Sequence, residues 1–206
     1  RIEKEELSVD VLDYTNIFHV GSLSLTDQPA RDTTFYAVKR AKSNGSIISS
    51  YPTYRAPLWE NEETAKHQMR SLIPYVDIMK IPVEEVELLT DCKNVQDGAK
   101  ELCRQGVKIA AVTLGSQGAY IHCKEGGCIV PGFASHVVDT NGAGDSFWGG
   151  FLYKVSTSGK RPDELSLETL AEYVRFGNAV DSLCVEGRGA IPAMPDLLQV
   201  ETRLSL

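Results

Sequence analysis

The sequence predicts an α/β fold: a mainly parallel sheet with helices on both sides. Three observations predict it. Apolar runs of strand length alternate with amphipathic runs of helical length, as in repeated β-α units. Val107 to Leu114 is apolar almost without a break, which suits a strand covered on both faces. Helix-stop signals punctuate the chain at Asn44-Gly45 and Gly106. At 206 residues the chain reads as a single domain, given ~150 residues per domain.

The elements follow in order. Ile17 to Leu25 reads as a strand, and about Ala30 to Ser43 as a helix closed by Asn44-Gly45. Ser46 to Tyr51 is a second strand. Asn61 caps a helix with Glu62 and Glu63 in its first turn and Ala65, Met69, Leu72 and Ile73 on one face. Val76 to Ile81 is a third strand, followed by two helices. The second of these shows Val95, Ala99, Leu102 and Cys103 on one face. After the Val107–Leu114 strand, Gly118–Cys123 and Gly127–Phe133 read as a hairpin. Two helices close the chain, about Gly142–Ser156 and Leu167–Cys184. Sheets of this kind bind ligands at the carboxyl ends of their strands.

Composition excludes several functions. Lys plus Arg number 21 and Asp plus Glu 28, a net charge of −7. That acidity argues against binding a nucleic-acid backbone or an anionic membrane surface. No apolar run approaches the ~18 residues that span a bilayer. The charged run Arg1–Glu6 reads as a solvated start. Five cysteines without a CxxC read as reduced thiols of a cytoplasmic chain. Cys123 and Cys128 flank a Gly-rich turn, so a meeting across the hairpin is the lesser alternative. The four histidines are widely spaced and are assigned no role. Trp59 reads as core rather than as a sugar-stacking ring, and Lys80 as solvated.

The chemistry is written in Asp139-Thr140-Asn141-Gly142-Ala143-Gly144-Asp145. Val137-Val138 reads as a strand end before it. The stripe Phe147, Trp148, Phe151, Leu152 and Val155 reads as a helix after it. The small residues therefore sit at a helix start, where free N–H groups and the dipole attract anions. Asp145 in the same turn is placed to take a proton. The bland alternative is a tight turn with a favourable first-turn acid. Two features weigh against it. Gly149-Gly150 inside a helix costs about 1 kcal/mol per Gly, so close packing is expected against that backbone. A second Gly-rich candidate, Thr113-Leu114-Gly115-Ser116-Gln117-Gly118, follows the most apolar strand.

These residues resemble the PfkB family of carbohydrate kinases, the ribokinase and fructokinase group. Asp139 to Asp145 matches its DTxGAGD signature without a gap, and Thr113 to Gly118 resembles its TLGxxG nucleotide loop. Phe176-Gly177-Asn178-Ala179 and Gly187-Arg188-Gly189-Ala190-Ile191-Pro192 resemble its C-terminal segment. His19–Leu25, Arg55–Trp59 and Glu84–Thr90 look like the fructokinase branch. The resemblance implies a ribokinase-like three-layer α/β/α fold and phosphoryl transfer from ATP to a primary hydroxyl of a fructose-like or ribose-like sugar. It implies Asp145 as general base and substrate contact, and Gly142, Ala143 and Gly144 as the anion hole. Thr113, Gly115, Ser116, Gly118, Gly144 and Asn178 are implied as nucleotide contacts, and Arg55 as a substrate contact. Glu85 is implied to order the water shell of Mg²⁺. Asp139, Asn141, Cys184, Gly187, Gly189 and Ala193 are implied around a monovalent cation, K⁺.

The resemblance carries departures. The chain is expected to correspond to about the C-terminal two-thirds of such a kinase, without the N-terminal strands, the Gly-Gly sugar contacts and the lid. A sheet edge is then expected to be uncovered, and the sugar to meet half a pocket. Relatives often pair through the lid, so a homodimer is an expectation of the family rather than of these residues. Tyr51 and Thr53 stand where the family's DPNxR has Asp and Asn. Pro82 replaces a polar residue, and Asp91 replaces the Gly of LTG. Two alternatives therefore stand: a degenerate, non-catalytic relative that binds nucleotide or a partner subunit, and a nucleoside kinase of the same family.

Overall fold

The computed structural model describes residues 2–206; Arg1, in the charged start, lies outside them. Residues 2–6 are exposed, as a solvated start requires. The backbone divides into two compact units, one ending at Ala110 and the other spanning Ala111–Leu206. The division falls within strand β4 (Ile109–Thr113).

The first unit holds β1 (Ile17–Gly21), β2 (Ile47–Tyr51) and β3 (Ile78–Pro82). They pair in parallel, Ile17 opposite Ile47 and Ser49 opposite Ile78. Five helices accompany them: α1 (Val9–Tyr14), α2 (Ala30–Ser43), α3 (Glu62–Leu72), α4 (Val86–Thr90) and α5 (Val95–Arg104). The Asn61 side chain caps α3 by accepting from the Thr64 N–H at 2.8 Å. Ala65, Met69, Leu72 and Ile73 are all buried, so the helical stripe faces the core as expected.

The first and third strands are shorter than the sequence implies, each because a side chain captures the backbone. The first ends at Gly21 because Ser22 Oγ both donates to the Thr53 carbonyl and accepts from the Thr53 N–H, each at 2.8 Å. Leu23–Leu25 then winds into a 3₁₀ turn. The third begins at Ile78, because the Asp77 carboxylate accepts from the Ile48 N–H at 2.9 Å and from Lys42 Nζ at 3.0 Å.

The second unit holds the antiparallel hairpin β5 (Ala119–Cys123) and β6 (Gly126–Val130). Its helices are α6 (Ala143–Ser158), α7 (Leu167–Cys184) and α8 (Leu197–Leu204). Three helices close the chain, not two. The hairpin register sets Cys123 opposite Gly126 and Cys128 opposite Ile121, so the two thiols do not face each other. All five cysteines are free.

Helices α6 and α7 pack closely. A Cβ on Gly177 would lie 2.8 Å from the Phe147 carbonyl oxygen, and one on Gly150 would lie 2.9 Å from Val180 Cγ2. Only glycine permits that approach. Gly149 is different: a Cβ there meets nothing within 4 Å, so the expected close packing holds for Gly150 alone. Phe147, Trp148, Phe151 and Val155 are buried as the stripe predicts, with the Trp148 and Phe151 rings stacked at 4.9 Å.

Candidate active site

The centre of the candidate site is the start of α6. Gly142 is its N-cap, in the left-handed region at φ +79°. A Cβ there would lie 2.4 Å from Ala190 Cβ, so glycine is required on two counts. The Ala143 N–H donates to the Thr140 carbonyl at 3.2 Å, and the Ser146 N–H to the Gly142 carbonyl at 2.8 Å. Among the described residues of this unit, the N–H groups of Gly144 and Asp145 have no backbone acceptor. They are first-turn donors left open at the positive end of a helix of 16 residues. Asp145 itself is exposed. An anion and an accessible carboxylate can therefore meet at one turn.

That turn is braced by Asp139. Its Oδ1 accepts from the Asn141 N–H at 3.0 Å and its Oδ2 from the Gly189 N–H at 2.9 Å. These backbone hydrogen bonds hold the Asp139 carboxyl below the usual carboxylate range. The N–H groups of Val138 and Asp139 both donate to the Val185 carbonyl. Val137 and Val138 are thereby irregular and exposed rather than the end of a strand. Cys184 Sγ lies 4.0 Å from the Ala190 carbonyl oxygen, and burial raises its thiol pKa. A Cβ on Gly187 would lie 2.8 Å from Ala193 Cβ. The structure thus gathers Asp139, Asn141, Cys184, Gly187, Gly189 and Ala193 about one turn. A carboxylate and peptide carbonyls are the donor chemistry of a hard cation.

Beside the helix start lies a cleft of about 540 Å³, which Ala143 lines. Of the expected nucleotide contacts, Gly115, Ser116, Gly118 and Asn178 line it, while Thr113 and Gly144 do not. Gly118, at φ +96°, sits with its Cα 3.4 Å from where a Cβ on Gly132 would be. A Cβ on Gly118 itself would strike the Val130 carbonyl oxygen. Asn178 is 3% exposed, and its amide donates to the carbonyls of Val130 and Pro131, each at 3.1 Å. Its donors fix the end of β6, so only its carbonyl oxygen is left to serve a ligand. The sequence reading missed Asp181, Ser182 and Val185, which also line the cleft. Their spacing from Asn178, at i+3, i+4 and i+7, is the signal that places them on one helical face.

In the first unit, Glu85 is 8% exposed. Its Oε1 accepts from the Tyr54 N–H at 2.7 Å, while Oε2 is buried with no hydrogen-bond partner among the described residues. Burial pushes its carboxyl above the usual range, against the opposing pull of the Tyr54 N–H, Lys80 and Arg55. The spare oxygen fits a carboxylate that accepts from a water molecule, the role expected of it toward Mg²⁺. Arg55 is exposed. Lys80 overturns its reading as solvated: it is 1% exposed, with Nζ 3.3 Å from the Tyr51 ring centroid. The aromatic face at the substituted position receives a cation that water would otherwise have to solvate. Trp59 is buried, as a core residue should be.

Comparison with known proteins gives the family and the fold. The description "pfkB family carbohydrate kinase" matches residues 2–197. Fructokinase-1 of Zea mays is 35% identical over 198 residues, which are 95% of this chain and 60% of that protein. The crystal structure of a fructokinase with bound ATP from Xylella fastidiosa superposes with a TM-score of 0.91 at 27% identity, covering 99% of this chain and 66% of that one. A Vibrio cholerae O395 fructokinase in a form with bound fructose, ADP and calcium ion gives a TM-score of 0.86 at 27% identity, covering 96% and 64%. The chain shares the ribokinase-like α/β fold of these enzymes and spans about 60% of the length of the curated relatives it matches. The chain belongs to the pfkB family of carbohydrate kinases.

Proposed function

We propose that this chain carries the phosphoryl-transfer machinery of a kinase that phosphorylates a primary hydroxyl of a fructose-like or ribose-like sugar from Mg·ATP. The observation that carries the reading is the first turn of α6: open N–H donors at Gly144 and Asp145 beside an exposed carboxylate. Phosphoryl transfer asks mainly for positioning and charge stabilisation. The open N–H groups of Gly144 and Asp145 hold the oxygens of the transferring group, with Gly142 setting the turn; the Ala143 N–H expected beside them is spent on the Thr140 carbonyl. Asp145 accepts the proton of the attacking hydroxyl. Gly115, Ser116 and Gly118 offer backbone without bulk along the cleft, and Asn178 keeps the strand end in register against it. Mg²⁺, when bound, would supply the remaining neutralisation of phosphate charge; in the first unit, the buried Glu85 Oε2 is an acceptor of the kind that a metal-bound water donates to. K⁺ is assigned to the Asp139–Gly189 turn, where it would strengthen the field at the helix start. The ligands named for the Xylella and Vibrio fructokinases, ATP, ADP and fructose, support the substrate class.

The test is Asp145→Asn, assayed as sugar-dependent ADP release with fructose, ribose and a nucleoside as acceptors. Loss of a general base lowers kcat by about 10²–10⁴, with nucleotide affinity retained. Activity within a few-fold of wild type removes Asp145 from the role. The acceptor panel separates the sugar from the nucleoside reading. A second reading, a non-catalytic nucleotide binder, is favoured by Tyr51, Thr53 and Pro82 at the positions of family polar residues. Nucleotide binding without any acceptor-dependent turnover supports it.

A further inference from the structure

We propose that Arg203, on α8, is a positioning residue of the nucleotide site: it clamps the segment that forms one wall of the cleft. The inference deepens the nucleotide-cleft reading and rests on it.

Phe133, Ala134, Ser135 and Val137 line the cleft, whereas Arg203 does not. The segment 131–137 is neither helix nor strand. Among the described residues, no backbone–backbone hydrogen bond holds 133–137. Peptide without a ladder takes its place from side chains. Arg203 Nη1 donates to the Ala134 carbonyl at 3.4 Å and to Ser182 Oγ at 3.0 Å. Its Nη2 donates to Glu186 Oε2 at 2.9 Å. Glu186 Oε1 in turn accepts from the His136 N–H at 3.2 Å. The guanidinium and its counter-ion therefore grip the segment at two points, the carbonyl of Ala134 and the amide of His136. Ser182 Oγ donates to the Ala179 carbonyl at 2.8 Å, which ties the grip to α7.

The clamp is sheltered, with the Arg203 side chain only 14% exposed. A planar guanidinium presents its donors in a fixed fork, so one group sets three acceptors at once. Helix α8 is itself anchored. Val200 is buried against Phe176, Ala179 and Val180, and the Leu204 carbonyl accepts from Arg175 Nη2 at 3.0 Å. The Arg175 guanidinium also lies 5.0 Å from the Phe133 ring centroid. A ligand that meets a loose wall must order it, and its affinity falls by the fraction of molecules with the wall in place. None of the clamp's hydrogen bonds involves α6. Loss of the clamp therefore weakens nucleotide binding and leaves the helix start as it is.

The experiment is calorimetric titration of Mg·ATP into wild type, Arg203→Met, Arg203→Lys and Glu186→Ala, with hydrogen exchange at the His136 amide read against its intrinsic rate. Arg203→Met weakens ATP binding about fivefold or more and lowers His136 protection. Arg203→Lys keeps the ion pair and loses the fork, so it restores part of both. Glu186→Ala releases the amide end of the grip and acts in the same direction; the double variant adds little to the stronger single, because both work through one segment. In wild type, bound ATP raises His136 protection by linkage. An affinity that moves less than about twofold in Arg203→Met and Glu186→Ala overturns the proposal, whatever the melting temperature does, as a purely structural role would have it. A weakened affinity with His136 protection unchanged also overturns it, because the effect then bypasses the segment. If Arg203→Met does not fold, Arg203→Lys and Glu186→Ala carry the same comparison. If wild type does not bind Mg·ATP, the cleft reading falls and this inference with it; if wild type and variants bind alike, only this inference falls.

Discussion

Gly142→Ala tests the geometry of the helix start directly. At φ +79° an L-residue carries a penalty of about 1–2 kcal/mol. The added methyl would also lie 2.4 Å from Ala190 Cβ and 2.9 Å from Ala190 Cα. The Cα is backbone and cannot rotate away, so overpacking adds about 1–3 kcal/mol. The expected loss is about 2–5 kcal/mol, a large part of a domain's stability of ~5–15 kcal/mol. Urea unfolding reads it as a lower midpoint at unchanged slope. The partner change Ala190→Gly removes the overlap and leaves the φ strain. The double variant therefore recovers about 1 kcal/mol or more, a coupling measured by the cycle of single and double variants. If the turn yields instead of the fold, stability is kept and nucleotide affinity falls. A single change that alters neither stability nor affinity, or a double variant showing no coupling, refutes the contact between the signature turn and the Ala190 loop.

Two further changes read the same unit. Gly149→Ala stabilises α6 by about 0.5–1 kcal/mol, because it meets open space, whereas Gly150→Ala is destabilising because its methyl meets Val180 and the Gly177 backbone; thermal melts giving the same sign for both would contradict the packing described. Hydrogen bonding depresses the Asp139 pKa in the folded state, so its contribution is present above the ordinary carboxylate range and is lost as pH falls through the folded value. The protection of the Gly189 amide, measured against its intrinsic exchange rate at each pH, is therefore high at neutral pH and falls in acid. Asp139→Asn weakens the protection at neutral pH, and an unchanged Gly189 rate in that variant would disconnect the carboxylate from the loop.

Local signals carried much of the fold. Helix α2 runs from Ala30 to Ser43 as its Asn-Gly stop implies, and α7 spans Leu167–Cys184. The misses have physical causes. Leu23–Leu25 alternates like a strand, but a hydroxyl on Ser22 redirects the backbone, and no periodicity reports a contact 31 residues away. Helix α8 had a readable start: Asp196 accepts from the Gln199 N–H and Gln199 Oε1 from the Asp196 N–H. Lys80 was misread because a charged side chain at a strand end usually finds water; here the ring that shelters it comes from a neighbouring strand. The DTxGAGD turn was legible because its residues are contiguous. Asp181 was not, since one carboxylate on a long helix gains meaning only from the cleft that its face lines.

The interlock of Gly118 with the segment after β6 has a consequence for how this protein can vary. At Gly118 and Gly132 any added carbon would collide with main chain rather than with a movable group. Mutation there is silenced by geometry. A change of ligand preference therefore falls to the lining positions that carry side chains, Ser116, Phe133 and Ser182 among them.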